Sequence, residues 1–316
     1  MKIVFLDRKT LGDDITLNQF EKLGNIVSYD STKSDETLYR VKDANIVVTN
    51  KVVIDKTIMD NSNIKLICIA ATGMNNIDLE YAKQKGIVVK NVVGYSTSSV
   101  AQLTLSYVLQ FVQQINFYDN YVKSGKWQKS DIFTNNDKPF YELDGKIWGI
   151  IGFGNIGKKV AQIAQSFGCK VIYYSTSGKN NDSSYSSVSL EELLKTSDIV
   201  SLHCPLNEQT NNLINNTNLK DMKNGSILLN LGRGGLVNEQ DIANSINDGQ
   251  DIYFATDVVT VEPIIESSPL LTIEDKARVI VTPHIAWASK EARQRLLDGI
   301  EKNIKSYQVT NPSKLI

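Results

Sequence analysis

The sequence has few of the residues that build metal centres and disulfide frameworks, with only two histidines and three cysteines among 316 residues. Cys68, Cys169 and Cys204 each lie among apolar neighbours, and none belongs to a Cys-x-x-Cys pair. Disulfides and zinc sites need cysteines or histidines at characteristic spacings. We therefore predict small buried cysteines in a reducing compartment, and no bound metal.

The sequence also lacks a strong charge of either sign and any long apolar run. Its formal net charge is −1, so no broad basic surface for nucleic acid is expected. No apolar run approaches the roughly 20 residues that cross a bilayer. The apolar stretch Lys2–Leu6 is too short for the core of a signal peptide, and Asp7 follows it. These absences predict a cytoplasmic protein without nucleic-acid or membrane partners.

What the sequence does contain is a regular alternation of strand-like apolar segments and amphipathic segments. In the first part of the chain, amphipathic stretches at Thr16–Leu23, Asp35–Val41 and Leu79–Lys85 separate the predicted strands. The predicted strands there are Lys2–Leu6, Ile26–Tyr29, Ile46–Thr49, Leu66–Ala70 and Val88–Lys90. This alternation is typical of a doubly wound parallel sheet.

A second set of strands follows two predicted helices at Ser98–Phe111 and Ile115–Ser124. Its predicted strands are Ile147–Ile151, Lys170–Tyr174, Ile199–Leu202, Ser226–Asn230, Ile252–Asp257 and Val279–Val281. The polar stretch Asn180–Ser187 indicates a surface loop. The length allows a hydrophobic core for each set. We therefore predict two doubly wound α/β domains with a cleft between them.

The most specific motif is the glycine run Gly152-Phe-Gly-Asn-Ile-Gly157. It lies between the predicted strand Ile147–Ile151 and the helical pattern Lys158–Phe167, which is the context of a dinucleotide-binding turn. The first glycine permits the turn, the second lets a pyrophosphate approach the backbone, and the third lets helix and strand pack closely. The helix N-terminus then attracts phosphate. Without this context the same glycines would indicate only a flexible turn.

Three side chains that could do chemistry follow strands of the second set. His284 follows Val279–Val281, and the helical pattern Lys290–Asn303 comes after it. Arg233 follows Ser226–Asn230, and Glu262 follows Ile252–Asp257. Histidine is the usual general acid near neutral pH, and the arginine fork suits a carboxylate. A carboxylate can orient an imidazole and favour its protonated form.

Each of these residues also has an ordinary structural interpretation. His284 could pack at a strand end, Arg233 could be a surface arginine in a glycine-rich loop, and Glu262 a solvated loop glutamate. Their common position, at the ligand-binding edge of the sheet with the glycine motif, favours a functional interpretation. The second histidine, His203, has apolar neighbours, and structural packing is favoured there.

The chain resembles the D-isomer-specific 2-hydroxyacid dehydrogenases over essentially its whole length, and within them the glycerate dehydrogenase and hydroxypyruvate reductase branch. Several motifs in the same order carry the resemblance. They are Ala71–Asp78, Val93–Gln102, Gly152–Gly157, His203–Leu206, Asn230–Val237, Asp257–Pro263 and Pro283–Ser289.

The resemblance implies a catalytic triad of Arg233, Glu262 and His284. It implies substrate binding by Arg233, by the backbone N–H groups of Thr72 and Gly73, and by Trp287 as a lining residue. The implied cofactor-binding residues are Gly152, Gly154, Asn155, Ile156, Gly157, Ser175, Thr176, Cys204, Pro205, Leu231, Gly232, Asp257 and His284. Asp257 would hold the nicotinamide amide.

The resemblance also implies a domain organisation. A flavodoxin-like substrate domain would comprise residues 1–98 and 289–316, and a Rossmann nucleotide-binding domain would comprise residues 99–288. Members of the family are commonly homodimers. The helices around Ser99–Ser124 and the arm Gly125–Phe140, which contains Trp127, would form that interface.

The chain departs from the usual motif at the end of the strand Lys170–Tyr174. An acid there would hold the ribose hydroxyls and repel a 2′-phosphate. This chain has Ser175 and Thr176 instead, with Lys179 nearby and no arginine to bind the phosphate. We predict use of NADH with weak discrimination against NADPH.

The resulting hypothesis is reversible NAD(P)H-dependent reduction of hydroxypyruvate or glyoxylate to the D-2-hydroxy acid. Another substrate, such as lactate or phosphoglycerate, is an alternative, because one methylene in a pocket changes binding by only about 1–3 kcal/mol. An NADH-sensing, corepressor-like protein is an alternative from another functional class. A formate dehydrogenase-like enzyme is disfavoured by Glu262 at the triad position.

Overall fold

The computed structural model describes residues 1–311 and divides the chain into two compact units. Unit 1 contains Met1–Ser96 together with the chain from Trp287 onward, and unit 2 contains Thr97–Ala286. The boundaries expected from the sequence, at 98/99 and 288/289, each lie two residues beyond the observed boundaries at 96/97 and 286/287. Unit 1 is therefore discontinuous, with unit 2 inserted into it.

The strands match the apolar segments of the sequence closely. In unit 1 they are β1 Lys2–Phe5, β2 Asn25–Ser28, β3 Ile46–Thr49, β4 Leu66–Ile69 and β5 Val88–Lys90. In unit 2 they are β6 Ile147–Ile151, β7 Lys170–Tyr174, β8 Ser186–Ser187, β9 Ile199–Leu202, β10 Ser226–Asn230, β11 Ile252–Thr256 and β12 Val279–Val281.

The α-helices fill the segments between strands. In chain order they are α1 Thr37–Val41, α2 Lys56–Asp60, α3 Leu79–Gln84, α4 Thr97–Gln113, α5 Ile115–Lys123, α6 Asn155–Ser166, α7 Leu190–Thr196, α8 Asn216–Leu219, α9 Glu239–Asn247 and α10 Lys290–Thr310. Four of these helices were not predicted, namely α2, α7, α8 and α9. Each begins after a side-chain N-cap, at Asp55, Ser189, Asn215 and Asn238 respectively. Those cap residues were the local signal that could have located them.

The sheet of unit 1 is parallel, with strand order β2-β1-β3-β4-β5. Side chains alternate between its faces, as strand geometry requires. Ile3 and Phe5 of β1 belong to an apolar cluster with α10, whereas Val4 belongs to the cluster on the other face. Burial of both faces explains why these strands are continuous apolar runs.

The sheet of unit 2 is also parallel, with strand order β12-β11-β10-β9-β6-β7-β8. The chain runs outward from β6 through β7 and β8 and then returns to place β9 on the other side of β6. This reversal creates a topological switch point between β6 and β9, where doubly wound folds bind ligands beyond the carboxyl ends of the strands. The predicted fold class is confirmed.

Two local predictions were wrong. Thr16–Leu23 is not an α-helix, since only Asn18–Phe20 forms a 3₁₀ turn. The segment is short, and the chain must turn at Gly24, where a Cβ would lie 2.7 Å from the Met1 carbonyl oxygen. Within the predicted loop Asn180–Ser187, the last two residues form β8. No helix among the described residues is both long and apolar enough to cross a bilayer.

Candidate active site

The carboxyl ends of the parallel strands of unit 2 bring the predicted functional residues of that unit to one edge. Gly152 follows β6, Cys204 follows β9, Arg233 follows β10, Glu262 follows β11, and His284 follows β12. Since β6, β9, β10, β11 and β12 are consecutive neighbours, these turns lie side by side.

Two glycines of the motif are required by the packing of the protein itself. Gly152 has φ +91°, and a Cβ on it would lie 2.5 Å from the Cys204 amide nitrogen. A Cβ on Gly157 would lie 2.3 Å from the Gly152 carbonyl oxygen. The turn after β6 and the start of α6 are therefore pressed against the backbone of neighbouring segments, as a dinucleotide-binding turn requires.

Gly154 differs from these two glycines because a Cβ on it would meet no protein atom within 4 Å. It is the N-cap of α6, and no side chain caps the helix at this position. A Cβ there would fill the space directly over the helix N-terminus, where backbone N–H groups and the helix dipole attract phosphate. The turn thus fits a pyrophosphate, with Asn155 and Ile156 as the first residues of the helix.

The residues after β7 place hydroxyl groups and one ion pair beside this turn. The Ser175 hydroxyl oxygen is buried and has no hydrogen-bond partner among the described residues. Further along the loop, Asp182 lies 3.4 Å from the ammonium group of Lys158, which belongs to α6. The strand β7 thus ends at residues without an acid, and the Asp182 carboxylate, seven residues after Ser175, lies against α6.

The turn after β10 exposes the guanidinium of Arg233. The Asn230 side chain organises the turn, because its amide donates to the Arg233 carbonyl at 2.8 Å and its oxygen accepts from the Gly232 N–H at 3.1 Å. Leu231 is buried, and Gly232 packs near the Cys204 carbonyl. The Arg233 side chain is exposed and donates to the Gly232 carbonyl at 2.8 Å. The turn thus offers a charged fork at the sheet edge.

Glu262 and His284 form a direct pair. The distance from His284 Nδ1 to Glu262 Oε2 is 2.8 Å, and the two side chains are 26% and 32% exposed. With Nδ1 bonded to the carboxylate, Nε2 is the ring nitrogen that can exchange a proton with a ligand. The pairing predicted from strand positions is present.

His284 has an unusual backbone conformation for a non-glycine residue, with φ +54°. Such conformations persist where the surroundings fix them, and they are frequent at functional sites. Here the His284 N–H donates to the Asp257 carbonyl at 2.9 Å, and the following amides of Ile285 and Ala286 donate to the Asp257 carboxylate at 2.8 and 2.7 Å.

Asp257 is therefore the anchor of the loop that carries the histidine. Its carboxylate is buried and also accepts from the Thr282 hydroxyl at 2.6 Å. Thr282 in turn contacts the buried Tyr107 hydroxyl from α4. Burial raises the pKa of the Asp257 carboxyl, and the hydrogen bonds oppose that rise. The family resemblance implies only a cofactor contact for Asp257, and nothing in the local sequence indicates this anchoring role.

The cysteines are buried, as predicted, and the second histidine is partly buried. Cys68, Cys169 and Cys204 are free thiols, and burial raises the pKa of Cys204 to about 11. Pro205 follows Cys204, and its carbonyl accepts from the Thr210 hydroxyl at 2.7 Å. Both ring nitrogens of His203 are buried without a hydrogen-bond partner among the described residues. Desolvation lowers the pKa of His203 to about 3, so the ring is neutral.

The remaining predicted residues, Thr72, Gly73 and Trp287, belong to unit 1. Thr72 and Gly73 follow β4, and the Asn91 side chain donates to the Thr72 carbonyl at 2.6 Å. The Trp287 ring makes an edge contact with Tyr95, with centroids 6.3 Å apart. Their use by a substrate stays a prediction.

Comparisons with known proteins agree with this arrangement. Residues 105–286 match the model of the D-isomer specific 2-hydroxyacid dehydrogenase NAD binding domain. A hydroxypyruvate reductase from Blautia hydrogenotrophica is 38% identical, covering 100% of this chain and 99% of the relative. A glycerate dehydrogenase from Methylorubrum extorquens is 36% identical, covering 100% and 98%.

A similar solved structure is the D-lactate dehydrogenase from Aquifex aeolicus, complexed with NAD and lactic acid. It is 25% identical, with a TM-score of 0.82, and the match covers 99% of this chain and 97% of that one. The family model spans more than half of the chain, and the relatives span all of it. The chain therefore belongs to the D-isomer-specific 2-hydroxyacid dehydrogenase family, and it is an NAD-binding oxidoreductase.

Proposed function

We propose that the protein reduces hydroxypyruvate or glyoxylate to the D-2-hydroxy acid, reversibly and with a nicotinamide cofactor. The observation that carries the proposal is the Glu262–His284 pair, 2.8 Å apart at the sheet edge that also presents Arg233 and the glycine turn. Relatives named hydroxypyruvate reductase and glycerate dehydrogenase support this choice of substrate.

The glycine turn would hold the pyrophosphate through the backbone and the N-terminus of α6. Ser175 and Thr176 would face the adenosine ribose. When bound, the nicotinamide supplies or accepts the hydride. The residues of the chain supply position, charge and a proton.

Arg233 would bind the substrate carboxylate and polarise the keto oxygen. A planar guanidinium can make two parallel hydrogen bonds to a carboxylate, which fixes both the position and the rotation of a short 2-oxo acid. The backbone N–H groups of Thr72 and Gly73 are proposed as further donors to the same carboxylate, and Trp287 as a lining residue.

His284 would donate its Nε2 proton to the oxygen that develops negative charge as C2 is reduced. Glu262 accepts a hydrogen bond from Nδ1, which fixes the ring orientation so that Nε2 faces the substrate oxygen. In the reverse direction neutral His284 would remove the hydroxyl proton.

We also propose a homodimer that uses the exposed apolar surface of α5 and the arm after it. No residue of α5 is buried in the chain. The exposed apolar residues here are Ile115, Phe117, Val122, Trp127, Ile132, Phe133, Phe140 and Tyr141. Many exposed apolar side chains within one segment of the chain are typical of a subunit interface.

The test of the activity is the decrease of NADH and NADPH absorbance with hydroxypyruvate, glyoxylate, pyruvate and 3-phosphohydroxypyruvate, followed by chiral analysis of the product. We expect turnover of hydroxypyruvate or glyoxylate to the D product. His284→Gln should lose turnover by 100-fold or more, on the order of general acid catalysis, and keep NADH binding. Tight NADH binding without turnover of any substrate would instead support the sensor alternative.

A further inference from the structure

The segment that carries Glu262 is held in place by a glutamate outside the triad, Glu239. This residue is the first of α9 and follows the N-cap Asn238, whose side chain accepts from the Asp241 N–H. A carboxylate in the first turn is favoured by the helix dipole. Glu239 is half-buried, and the capped helix end fixes its backbone.

Glu239 makes two hydrogen bonds to one residue of the Glu262 segment. Its Oε1 accepts from the Thr260 N–H at 2.6 Å and from the Thr260 hydroxyl at 2.9 Å. Thr260 lies two residues before Glu262. Both bonds end on the same oxygen, so the contact requires one acceptor atom at this place and uses the charge of the carboxylate only to strengthen the bonds.

The other side of the same segment rests on the arginine turn. A Cβ on Gly234 would lie 2.1 Å from the Val259 carbonyl carbon and 2.3 Å from the Thr260 nitrogen. The backbone at 259–260 thus passes directly over Gly234, next to Arg233. Glu239 thus hydrogen-bonds Thr260 on one side, and the segment packs against Gly234 on the other.

The held segment then sets the orientation of the Glu262 side chain. The Val259 N–H donates to Glu262 Oε1 at 3.3 Å, and Glu262 Oε2 lies 2.8 Å from His284 Nδ1. A continuous line of contacts therefore leads from Glu239 through Thr260 and Glu262 to the histidine.

We propose that Glu239 is a positioning residue for the acid–base pair. By holding Thr260 it keeps Glu262 in hydrogen-bond contact with His284. This inference rests on the proposed function of that pair. Residues that orient catalytic groups from behind typically change activity by about 10–100-fold when removed, and a misplacement of about 1 Å at the reacting groups can cost about 100-fold.

The experiment compares Glu239→Ala, Glu239→Gln and Thr260→Val with the wild type. We expect Glu239→Ala to lower kcat for reduction by about 10–100-fold, with NADH affinity changed less than about twofold. Glu239→Gln keeps an acceptor oxygen at the same place and should retain kcat within about threefold. Thr260→Val removes one of the two bonds and should fall between them. Glu266→Ala, which removes an exposed glutamate further along the same loop, is the matched control and should leave kcat unchanged.

A double-mutant cycle with Glu262→Gln separates positioning from a general structural effect. If Glu239 acts through Glu262, the alanine substitution should cost less than about threefold in kcat in the Glu262→Gln background. The pH at which the reductive rate falls by half should also move in the same direction in Glu239→Ala and Glu262→Gln. The proposal is overturned if Glu239→Ala lowers kcat by the same factor in the Glu262→Gln background as in the wild type. It is also overturned if the Glu239→Ala enzyme has wild-type kcat.

The NMR spectrum of the imidazole protons tests the same proposal without turnover. The sequence has only two histidines, so the His284 resonances are readily assigned with a His203 variant. They should move in Glu239→Ala toward their positions in Glu262→Gln, and should stay at wild-type positions in Glu239→Gln. Unmoved resonances in Glu239→Ala refute the positioning role, whereas a wild-type protein without turnover refutes only the proposed function.

Discussion

Replacing His203 by leucine should remove much of the acid sensitivity of this protein. His203 lies just beyond β9, and both its ring nitrogens are buried without a hydrogen-bond partner among the described residues. Burial lowers the pKa of the ring to about 3, from an ordinary value near 6.5. The unfolded chain therefore protonates this ring near pH 6.5, whereas the folded chain protonates it only near pH 3.

The magnitude follows from proton linkage. Because the pKa in the folded state is depressed, the free energy of unfolding is unaffected well above pH 6.5 and decreases as the pH falls below it. The decrease is about 1.4 kcal/mol per pH unit. By pH 5 the loss is about 2 kcal/mol, and by pH 3, where the folded protein also begins to bind the proton, it is roughly 4 kcal/mol. A loss of 2 kcal/mol is a large part of the stability of an ordinary domain.

The assay is urea unfolding at pH 7.5, 6.0 and 5.0, followed by far-UV circular dichroism and by tryptophan fluorescence, to which Trp148, fully buried in unit 2, contributes. Titrating carboxylates affect wild type and variant alike, so the quantity of interest is the difference between them. His203→Leu should lose about 2 kcal/mol less than wild type between pH 7.5 and 5.0. His284→Gln is the control. It keeps His203, so its free energy of unfolding should fall between pH 7.5 and 5.0 by as much as that of the wild type.

The reasoning would be refuted if wild type and His203→Leu lost stability in parallel over this range. A His203 imidazole resonance that titrated near pH 6.5 in the folded protein would refute it independently. At pH 7.5 the leucine variant should be as stable as wild type or more so, because it removes two buried polar atoms without partners.

Two further predictions concern the cofactor and the assembly. Ser175→Asp should lower kcat/KM with NADPH by tenfold or more, because the carboxylate would face the 2′-phosphate, and should keep kcat/KM with NADH within about threefold. A wild-type protein whose kcat/KM with NADPH is already several orders of magnitude below that with NADH would contradict this account of the loop. In sedimentation the wild type should have about twice the chain mass of 35.2 kDa. Phe133→Asp, on the apolar surface of the arm, should shift the protein toward monomer, whereas Tyr39→Asp, at an equally exposed aromatic residue of α1, should not. A fully active monomer at micromolar concentration would contradict the interface role.

Local signals in the sequence were sufficient for eleven of the twelve strands in the described part of the chain and for the glycine turn. Buried parallel strands must be apolar on both faces, so β3, β4 and β6 appear as short apolar runs with strand bounds accurate to about one residue. Gly152 and Gly157 are required by close backbone contacts, and their spacing together with the adjoining strand and helix patterns identified the turn.

Short helices were a weaker case, because their stability comes from packing more than from local preference. The amphipathic segment Thr16–Leu23 buries Phe20 against Phe5, with ring centroids 5.1 Å apart, yet it does so without an α-helix. The helix α9 forms in a segment that was not predicted to be helical, where Asn238 caps it.

The sequence by itself determined the fold class, the cofactor-binding turn and which strand ends carry Arg233, Glu262 and His284, since each depends on residues close together in the chain. Only the tertiary structure decided how those side chains are held. Asp257 anchors the loop that holds His284 in its left-handed conformation, and Glu239 binds Thr260. These hydrogen bonds join residues 21 to 29 positions apart in the chain. Such contacts arise when parallel strands align their ends, and no periodicity or spacing within one segment encodes them.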